Sequence, residues 1–536
     1  ASSILDQGVD LGATNRRTAL PAWSELPPTI VSCGMSYQPL NLATGADFAH
    51  VKKVGVIGAG VSGLQMARAL KAHGYEVTVF DKAPNVGGLW QENYHSYGVQ
   101  VPKQLYEFPD FPFETVKYGV LPTGGETQAY IEAYATHFRL LPHIRLNTPV
   151  ESLEQRVGQK GWVFKLGEGG SEEFDFAVVA TGMCSQVTNM PEWTKTLGDF
   201  EGTVIHSSQY LSPDIAQGKR VLVIGSAKSA LDVTIDTSKV ASEPPTILYR
   251  GAHWCTPLHI LGFIPFQYVF LSRFGQALVS WYKGPWPVGA PCIHTFLSYL
   301  LFPVMWVAFR LVELIFKIQR GHWGIYAPNL DVVADFYGYG HLLDTSFISR
   351  WRKGELKGQL GEVKRLVKSG AETDSGEVIS ADVIICATGF RKTYDYLSEK
   401  TRGALDIGSD GHYLYRQMLP ASVRDLGLAF CGAECATASN ITTYGLHAEY
   451  ICSVLDGTVA LPSEEEMRAE IEKVKAWKRS WMPDTSSRAA LVLLHQTHYH
   501  DQLLRDMGVA PGRKFCLSEL FCPYAPADYN GIIKSA

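Results

Sequence analysis

Two stretches of the chain repeat the same order of apolar strand, small-residue turn, helix and second apolar strand. In the first stretch, an apolar run over 54–57 precedes helical spacing over 61–73, and residues 76–80 alternate as a strand. In the second stretch, residues 221–224 and 246–249 are the predicted strands, with a helix between them. Each stretch predicts a β-α-β unit, and together they predict an α/β fold.

Outside these units the pattern changes twice. Residues 1–50 are rich in Pro, Ser, Thr and Gly, which predicts an extension that lies on the domain or is partly disordered. Residues 251–320 contain two stretches without a charged side chain, 251–272 and 284–309. Prolines interrupt both stretches, whereas a membrane span needs about 20 unbroken apolar residues. Three interpretations stay open: a buried helical insertion over the active site, which is favoured, a membrane-contacting patch, and a span.

The composition narrows the classes of protein. With 46% hydrophobic and 19% charged residues among 536, the chain is predicted to be folded and long enough for two or three domains. A net charge of −5 gives no sign of the basic surface that binds nucleic acid, so no nucleic-acid partner is expected.

The cysteines and the first fifty residues bear on the compartment. The 10 cysteines show no C-x-x-C pair and no His cluster at metal spacing, so no metal site and no dense disulfide framework are expected. The first fifty residues lack the basic-then-apolar pattern of a secretory signal, so none is expected, although Arg16-Arg17 leaves an organelle address open. The expected location is the cytoplasm or the cytosolic face of a membrane.

The turn after the first strand has the glycine spacing of a dinucleotide site. Gly58 permits a tight turn, Gly60 lets the backbone approach a pyrophosphate, and Gly63 allows close helix packing. Asp81, at the end of the second strand, can accept hydrogen bonds from a ribose diol. The segment that follows resembles the extended FAD fingerprint and consists of Gly87, Gly88, Leu89 and Trp90. The first site is therefore predicted to bind FAD.

The second turn departs from the strict glycine pattern. It reads Gly225, Ser226, Ala227, Lys228, Ser229 and Ala230. After its second strand comes Arg250, where an NAD site carries an acid. A guanidinium can hold a 2′-phosphate through two hydrogen bonds, and Lys228 adds positive charge at the helix start. The second site is therefore predicted to bind NADPH.

Two further strands end in similar small-residue turns, Thr181-Gly182 and Thr388-Gly389. Each turn alone is commonplace. As a pair, they resemble the strand ends where the chain passes between the FAD and NADPH domains of two-dinucleotide flavoproteins. We therefore include all four residues among the predicted cofactor-binding residues.

A histidine, a glycine and two aromatic residues lie just before the second turn, spaced as Phe200-x-Gly202-x-x-x-His206-x-x-x-Tyr210. In this position the spacing resembles the identifying motif of the flavin-containing monooxygenases, and the order of motifs is similar to that family from Val51 to near the C-terminus. The segments most similar to the plant-type branch that includes pipecolate N-hydroxylases are Gln100-Val101-Pro102-Lys103, Phe108-Pro109-Asp110-Phe111-Pro112, Lys228-Ser229-Ala230-x-Asp232 and Pro523-Tyr524-x-x-x-Asp528-Tyr529.

The resemblance implies a fold of two nested Rossmann-like dinucleotide-binding domains, one for FAD and one for NADPH, with an apolar helical insertion. The implied domains are the 1–50 extension, 51–185 as the first part of the FAD domain, 186–385 as the NADPH domain with the insertion at about 255–320, and 386–536 as the second part of the FAD domain with the C-terminal segment. His206 of the motif is implied to be a cofactor-binding residue.

The resemblance also implies the chemistry. NADPH reduces FAD, and a flavin hydroperoxide transfers one oxygen atom of O2 to a soft nucleophile of a small substrate. Gln100 is implied to contact the flavin or NADP⁺, and the segment of Asn440 resembles the late polar segment that closes over the flavin in this family. Tyr210 stands where Baeyer–Villiger relatives typically carry Trp, which favours oxygenation of a heteroatom without excluding lactone formation, and N-hydroxylation of an amine is the favoured reaction. Animal members carry Asn in place of Gln100, so the substrate stays open.

Alternatives remain at this stage. Oxygenation of a ketone is one, and an NADPH oxidase or a disulfide-reductase-like flavoprotein is another. The latter predicts a redox cysteine pair, yet Cys431 and Cys435 have the wrong spacing and come late in the chain. A flavoprotein scaffold without catalytic activity is a third alternative. The sequence also leaves open whether the chain forms a homo-oligomer.

Overall fold

The computed structural model describes residues 47–532, apart from 92, 184–186, 290–291, 322, 340–341 and 344–345. All of these belong to the unit Leu42–Ala536. Most of the predicted 1–50 extension lies outside the described residues.

The elements follow one another along the chain as strands and helices. The strands are β1 (Lys53–Ile57), β2 (Glu76–Phe80), β3 (Ile144–Arg145), β4 (Val150–Gln155), β5 (Trp162–Leu166), β6 (Ser171–Phe174), β7 (Phe176–Val179), β8 (Val187–Thr188), β9 (Thr203–His206), β10 (Val221–Ile224), β11 (Thr246–Tyr249), β12 (Cys255–Thr256), β13 (His259–Ile260), β14 (Ile264–Pro265), β15 (Leu342–Leu343), β16 (Lys357–Leu360), β17 (Val363–Val367), β18 (Gly370–Thr373), β19 (Val378–Ser380), β20 (Val383–Cys386), β21 (Phe390–Arg391), β22 (Leu428–Phe430), β23 (Ala436–Thr437) and β24 (Leu491–Leu493). The helices are α1 (Val61–Ala72), α2 (Gly124–His137), α3 (Lys228–Thr237), α4 (Phe266–Phe270), α5 (Arg273–Lys283), α6 (Cys292–Arg320), α7 (Val332–Tyr339), α8 (Phe347–Arg352), α9 (Glu399–Ala404), α10 (Val423–Leu426), α11 (Asn440–Leu455), α12 (Glu464–Trp481), α13 (Gln496–Asp506) and α14 (Leu517–Phe521).

The first parallel sheet has the strand order β22-β7-β1-β2-β3. Its central strand β1 is apolar because both faces are covered, which is typical of parallel sheets. The edge strand β22 comes from the C-terminal part of the chain, more than 240 residues after β7 by the numbering of the two strands. The chain therefore leaves this sheet and later returns to it.

The second parallel sheet is formed by strands that lie between β7 and β22 in the chain, and it has the order β16-β11-β10-β20-β9. Its β10-α3-β11 unit repeats the β1-α1-β2 unit of the first sheet. Both units were predicted, and the two nested Rossmann-like folds are confirmed. The apolar strands were readable because a strand buried on both faces gives an unbroken apolar run.

The apolar insertion is helical, as predicted, but its main helix is not buried. Among the residues of α6, only Met305, Phe309, Glu313 and Phe316 are buried. The favoured expectation of a buried insertion is wrong for this helix. The physical reason is that the neighbouring helix α5 is too short to cover α6. A helix of 29 residues is about 44 Å long, whereas α5, with 11 residues, spans about 16 Å. The rest of α6 has one face packed and one face open.

Candidate functional site

The two glycine turns have the same geometry. Gly58 has φ of +106° and Gly225 has φ of +131°, a region that favours glycine. A Cβ at Gly58 would lie 2.5 Å from the carbonyl oxygen of Ala180, and one at Gly225 would lie 2.4 Å from that of Ala387. These alanines open the predicted turns Thr181-Gly182 and Thr388-Gly389, so each strand-end turn packs directly on one glycine turn.

The first turn forms a cradle without side chains. Gly60 pairs with Gly87 in a backbone bridge, and a Cβ at Gly88 would lie 3.0 Å from the Cα of Gly60. A Cβ at Gly63 would lie 1.8 Å from the carbonyl oxygen of Gly58, which explains why α1 needs glycine there. No side chain caps the first turn of α1, and that turn holds no acidic residue. The backbone amides at the uncapped start of α1 can donate hydrogen bonds to a pyrophosphate, and the neighbouring glycines leave room for it. This site therefore fits FAD.

Asp81 holds the glycine turn from the other side. Its carboxylate accepts hydrogen bonds from the amides of Ala59 at 2.6 Å and Ala83 at 2.8 Å. The acid therefore fixes the loop that approaches the nucleotide, and its contact with a ribose stays a prediction. Leu89 is 36% exposed at the rim. Trp90 packs inward.

The two cationic side chains near the second turn differ in exposure and in pairing. Arg250 follows β11, its side chain is 81% exposed, and Glu362 lies 3.9 Å away. Lys228 is instead paired with Asp232 at 2.6 Å, and Asp232 also accepts a hydrogen bond from Tyr94 at 2.8 Å. Because β11 and β10 are parallel neighbours, Arg250 and the Gly225 turn lie at the same edge of the sheet. Arg250 is therefore the cation that is available to a 2′-phosphate.

The remaining residues of the second turn surround the start of α3. No side chain caps this helix, and its first turn holds no acidic residue. The Ser226 carbonyl accepts a hydrogen bond from the Tyr326 hydroxyl at 3.3 Å, which ties the turn to the segment that follows α6. Ser229 is half-buried within the first helical turn. The uncapped amides suit the phosphates of NADPH, as the first turn suits those of FAD.

His206 fixes one of the strand-end turns. Its Nδ1 accepts a hydrogen bond from the Ser208 amide at 3.2 Å, so its Nε2 donates to the Gly389 carbonyl at 2.9 Å. Burial lowers the pKa of His206 below its usual value, which favours this neutral form. Both ring nitrogens are engaged with protein atoms. The geometry makes His206 a positioning residue for the Thr388-Gly389 turn, and a direct cofactor contact stays a prediction.

Tyr210, at the end of the same motif, connects the two nucleotide-binding folds. Its buried hydroxyl donates to Asp236 on α3 at 3.0 Å, and its carbonyl accepts from the His95 amide at 2.6 Å. The His95 ring also contacts Asp236, with 2.6 Å from Nδ1 to the carboxylate. Sequence reasoning missed His95 and Asp236, because no local pattern pairs residues 141 positions apart.

Gln100 and Asn440 come from distant segments that the structure brings together. The Ser439 hydroxyl donates to the Leu105 carbonyl at 2.9 Å and joins the two segments. The Asn440 side-chain oxygen accepts from the Thr437 amide at 2.8 Å, so it stabilises the turn that begins α11. Gln100 is half-buried. Their catalytic roles stay predictions.

The cysteine pair of the reductase alternative has no suitable chemistry. Cys431 and Cys435 are free and buried. Burial raises the pKa of the Cys435 thiol to about 12, and it raises that of Cys431 as well. A protonated, enclosed thiol is a poor nucleophile, so this pair is not a redox centre of the reductase type.

Comparisons with known proteins agree with this geometry. A family model described as flavin-binding monooxygenase-like matches residues 51–283 and 354–519. A probable flavin-containing monooxygenase 1 of Arabidopsis thaliana is 27% identical, covering 91% of this chain and 98% of its own length. The solved S-allyl-L-cysteine S-oxygenase of Allium sativum has a TM-score of 0.57 at 20% identity, over 86% of this chain and 89% of its own. A crystal structure of OTEMO in complex with FAD and NADP has a TM-score of 0.63 at 17% identity, over 85% of this chain and 98% of its own. The chain therefore belongs to the flavin-binding monooxygenase-like family and is an NADPH-dependent flavin monooxygenase whose flavin is FAD.

Proposed function

We propose that the enzyme transfers one oxygen atom of O2 to the nitrogen of a small amine, with N-hydroxylation as the favoured reaction. The observation that carries the proposal is the chemistry of Gln100 and of the turn that begins α11, where the side chains of Ser439, Asn440, Thr442 and Thr443 are amides and hydroxyls. In the same turn, Ser439 bonds Thr442 at 2.9 Å, and all three of Ser439, Thr442 and Thr443 are buried.

Uncharged, buried surroundings suit an amine substrate. An amine offers its lone pair only after it loses the ammonium proton, and burial disfavours the charged form of an amine. A site with amides and hydroxyls can therefore accept the neutral amine and orient it through hydrogen bonds. A general base is not required for this step.

The chain's own residues supply position and exclude water. FAD, when bound, supplies the activation of O2, and a protein around it must keep the reacting atoms dry. Trp90 stacks on Tyr97 with 5.7 Å between ring centroids and meets Tyr106 edge-on at 5.5 Å, so three aromatic rings pack together at the end of the short helical turn that begins at Gly88. The Gln100 amide can donate a hydrogen bond without giving up a proton.

The test uses three matched rings: piperidine, thiane and cyclohexanone. Purified enzyme with FAD, NADPH and isotopically labelled O2 is incubated with each, and products are identified by mass spectrometry. We expect one labelled oxygen in the hydroxylamine from piperidine. Conversion of cyclohexanone alone to its lactone would replace this proposal with ketone oxygenation. NADPH consumption matched by hydrogen peroxide with every ring would also contradict it.

We propose further that the enzyme works at the cytosolic face of a membrane. The support is the open apolar face of α6, on which most side chains are exposed. Fractionation of cells that express the full chain, with an organelle marker and a cytosolic marker, tests the location. Recovery entirely in the cytosolic fraction or inside an organelle would contradict this proposal.

A further inference from the structure

The outward face of α6 is apolar over nearly its whole length. Ten large apolar side chains of this helix are 41–72% exposed, and they are Ile293, Phe296, Tyr299, Leu300, Val304, Trp306, Val307, Leu311, Leu314 and Ile318. The mean hydropathy of its most apolar window is 1.8. Exposed apolar patches on monomers are usually much smaller, so this face is expected to be covered in use.

The width of the face distinguishes between possible covers. With 3.6 residues per turn, the ten side chains occupy roughly 160° of the helix circumference. A seam for one partner helix is narrower, because it uses two positions in seven. A face this wide is suited to immersion in a lipid surface, where all of it is covered at once.

One edge of the face has the residues of a lipid–water boundary. Tyr299, Trp306, Arg310 and Lys317 lie within roughly 40° of one another on the helix. The Arg310 guanidinium lies 5.9 Å from the centre of the Trp306 ring. Tyr and Trp are enriched at the level of lipid headgroups, and long cationic side chains reach the same level from a buried stem. The exposed Lys317 adds positive charge along this edge, which favours anionic headgroups.

The opposite face of α6 excludes a membrane span. Glu313 is buried there, accepts the Val332 amide at 2.9 Å and pairs with Arg310 at 2.6 Å. Phe309 on the same face stacks on Tyr282 of α5 with 4.9 Å between ring centroids. Surrounding α6 with lipid would break these contacts and leave an ionisable group in hydrocarbon. A membrane can therefore contact α6 only along its open face, with the helix parallel to the surface.

A hairpin tip extends the apolar surface beside the end of α6. Leu261 and Phe263, between β13 and β14, are 54% and 71% exposed. The Leu261 amide donates to the side chain of Gln319 at 2.9 Å, and Gln319 donates to the His259 carbonyl at 2.6 Å. These bonds hold the tip against the C-terminal end of α6.

We infer that α6 and the 261–263 tip dock on a phospholipid surface that contains anionic lipids, with α6 parallel to the surface. The inference goes beyond the oxygenation proposed above and does not depend on which substrate is used. Tyr299, Trp306, Arg310 and Lys317 lie at the headgroups, and the aliphatic stripe from Ile293 to Ile318 lies below them.

Vesicle flotation of the full chain tests the docking. Wild type should float with vesicles of phosphatidylcholine and phosphatidylserine, less with phosphatidylcholine alone, and less again in high salt. The triple variant Leu300→Gln, Val307→Gln, Leu311→Gln should bind at least about tenfold more weakly, since burying one such side chain is worth about a factor of ten. A matched control makes the same kind of change at exposed residues outside α6 and the 261–263 tip: Leu141→Gln, Val157→Gln and Leu360→Gln. These residues are 46%, 98% and 50% exposed, and the control should bind vesicles as wild type does.

FAD content and the rate of NADPH oxidation should be unchanged in both triple variants, because the substituted side chains point outward. Equal vesicle binding by wild type and the α6 variant overturns the inference. Resistance of bound wild type to alkaline carbonate extraction overturns the parallel placement in favour of a span. A wild-type dimer in sedimentation, lost in the α6 variant and without vesicle binding, shows that a second copy covers the face instead.

Discussion

The preference for NADPH should depend on Arg250 more than on Lys228. Arg250 is 81% exposed beside the second glycine turn, and its nearest acid, Glu362, is 3.9 Å away. A charge-assisted hydrogen bond contributes about 1.5–3 kcal/mol. The lower end applies here, because an exposed guanidinium is screened by solvent and Glu362 competes for it. At about 1.4 kcal/mol per decade, Arg250→Ala should lower the NADPH-over-NADH ratio of kcat/KM about tenfold.

Matched variants separate this contact from a general loss of charge. Lys228→Ala should lower the ratio less, because Asp232 already holds that ammonium at 2.6 Å. Arg365→Ala removes an exposed guanidinium that is paired with Glu372 and should leave the ratio unchanged. Arg250→Lys should give an intermediate ratio, since an ammonium keeps the charge but loses the planar fork.

The assay is initial-rate NADPH and NADH oxidation at low and high salt. The difference between wild type and Arg250→Ala should shrink as salt rises, because an exposed ion pair is screened. A ratio that stays at the wild-type value in Arg250→Ala, or that falls equally in Arg365→Ala, would refute the assignment of Arg250 to the 2′-phosphate.

Three further predictions concern the flavin site and the core. Gly63→Ala should purify with little FAD, since its Cβ would lie 1.8 Å from a carbonyl oxygen, whereas Ala230→Gly at the equivalent position should keep its flavin absorbance. Gln100→Ala should retain FAD but release more hydrogen peroxide per NADPH consumed; unchanged coupling would exclude a role at the flavin. His412 is buried, and burial lowers its pKa to about 3, so only the unfolded chain gains its proton as pH falls below about 6.5. The stability contributed by neutral His412 is thus present above pH 6.5 and lost toward pH 3, by up to about 1.4 kcal/mol per pH unit. Denaturant titrations from pH 7 to pH 4 should show a shallower loss for His412→Phe and an unchanged loss for the exposed His137→Gln control.

Much of the fold was predictable because its signals are local. The first strand pair, its helix and its glycine turn were read within thirty residues, and the second unit followed the same pattern. A glycine with positive φ at Gly58 or Gly225 is required by backbone geometry alone, so its meaning is visible without knowledge of distant partners. Family resemblance then connected the two units into nested folds.

The contacts that couple the units were not predictable in the same way. Tyr210 meets Asp236, and His206 meets a carbonyl 183 residues away, so spacing along the chain carries no sign of either contact. The pairing of Lys228 with Asp232 is different. These residues are four positions apart on a predicted helix, a spacing at which opposite charges commonly pair. That signal was in the sequence and would have directed attention to Arg250 alone.

The apolar insertion shows what hydropathy leaves undecided. An apolar helix is buried only if neighbouring elements are long enough to cover it. Hydropathy along the sequence shows how many residues are apolar, but it does not show how far the neighbouring elements extend. The polar and aromatic residues decide the matter: the buried Glu313 marks the face that meets protein, and Tyr299, Trp306 and Lys317 mark the edge of the face that does not. Their positions on the helix, read together with the apolar stripe, favour a helix with two different environments over one that is wholly buried or wholly in lipid. Each environment runs along the length of the helix, on opposite sides of it, and neither is confined to one end. A surface orientation therefore follows from the arrangement of the side chains themselves.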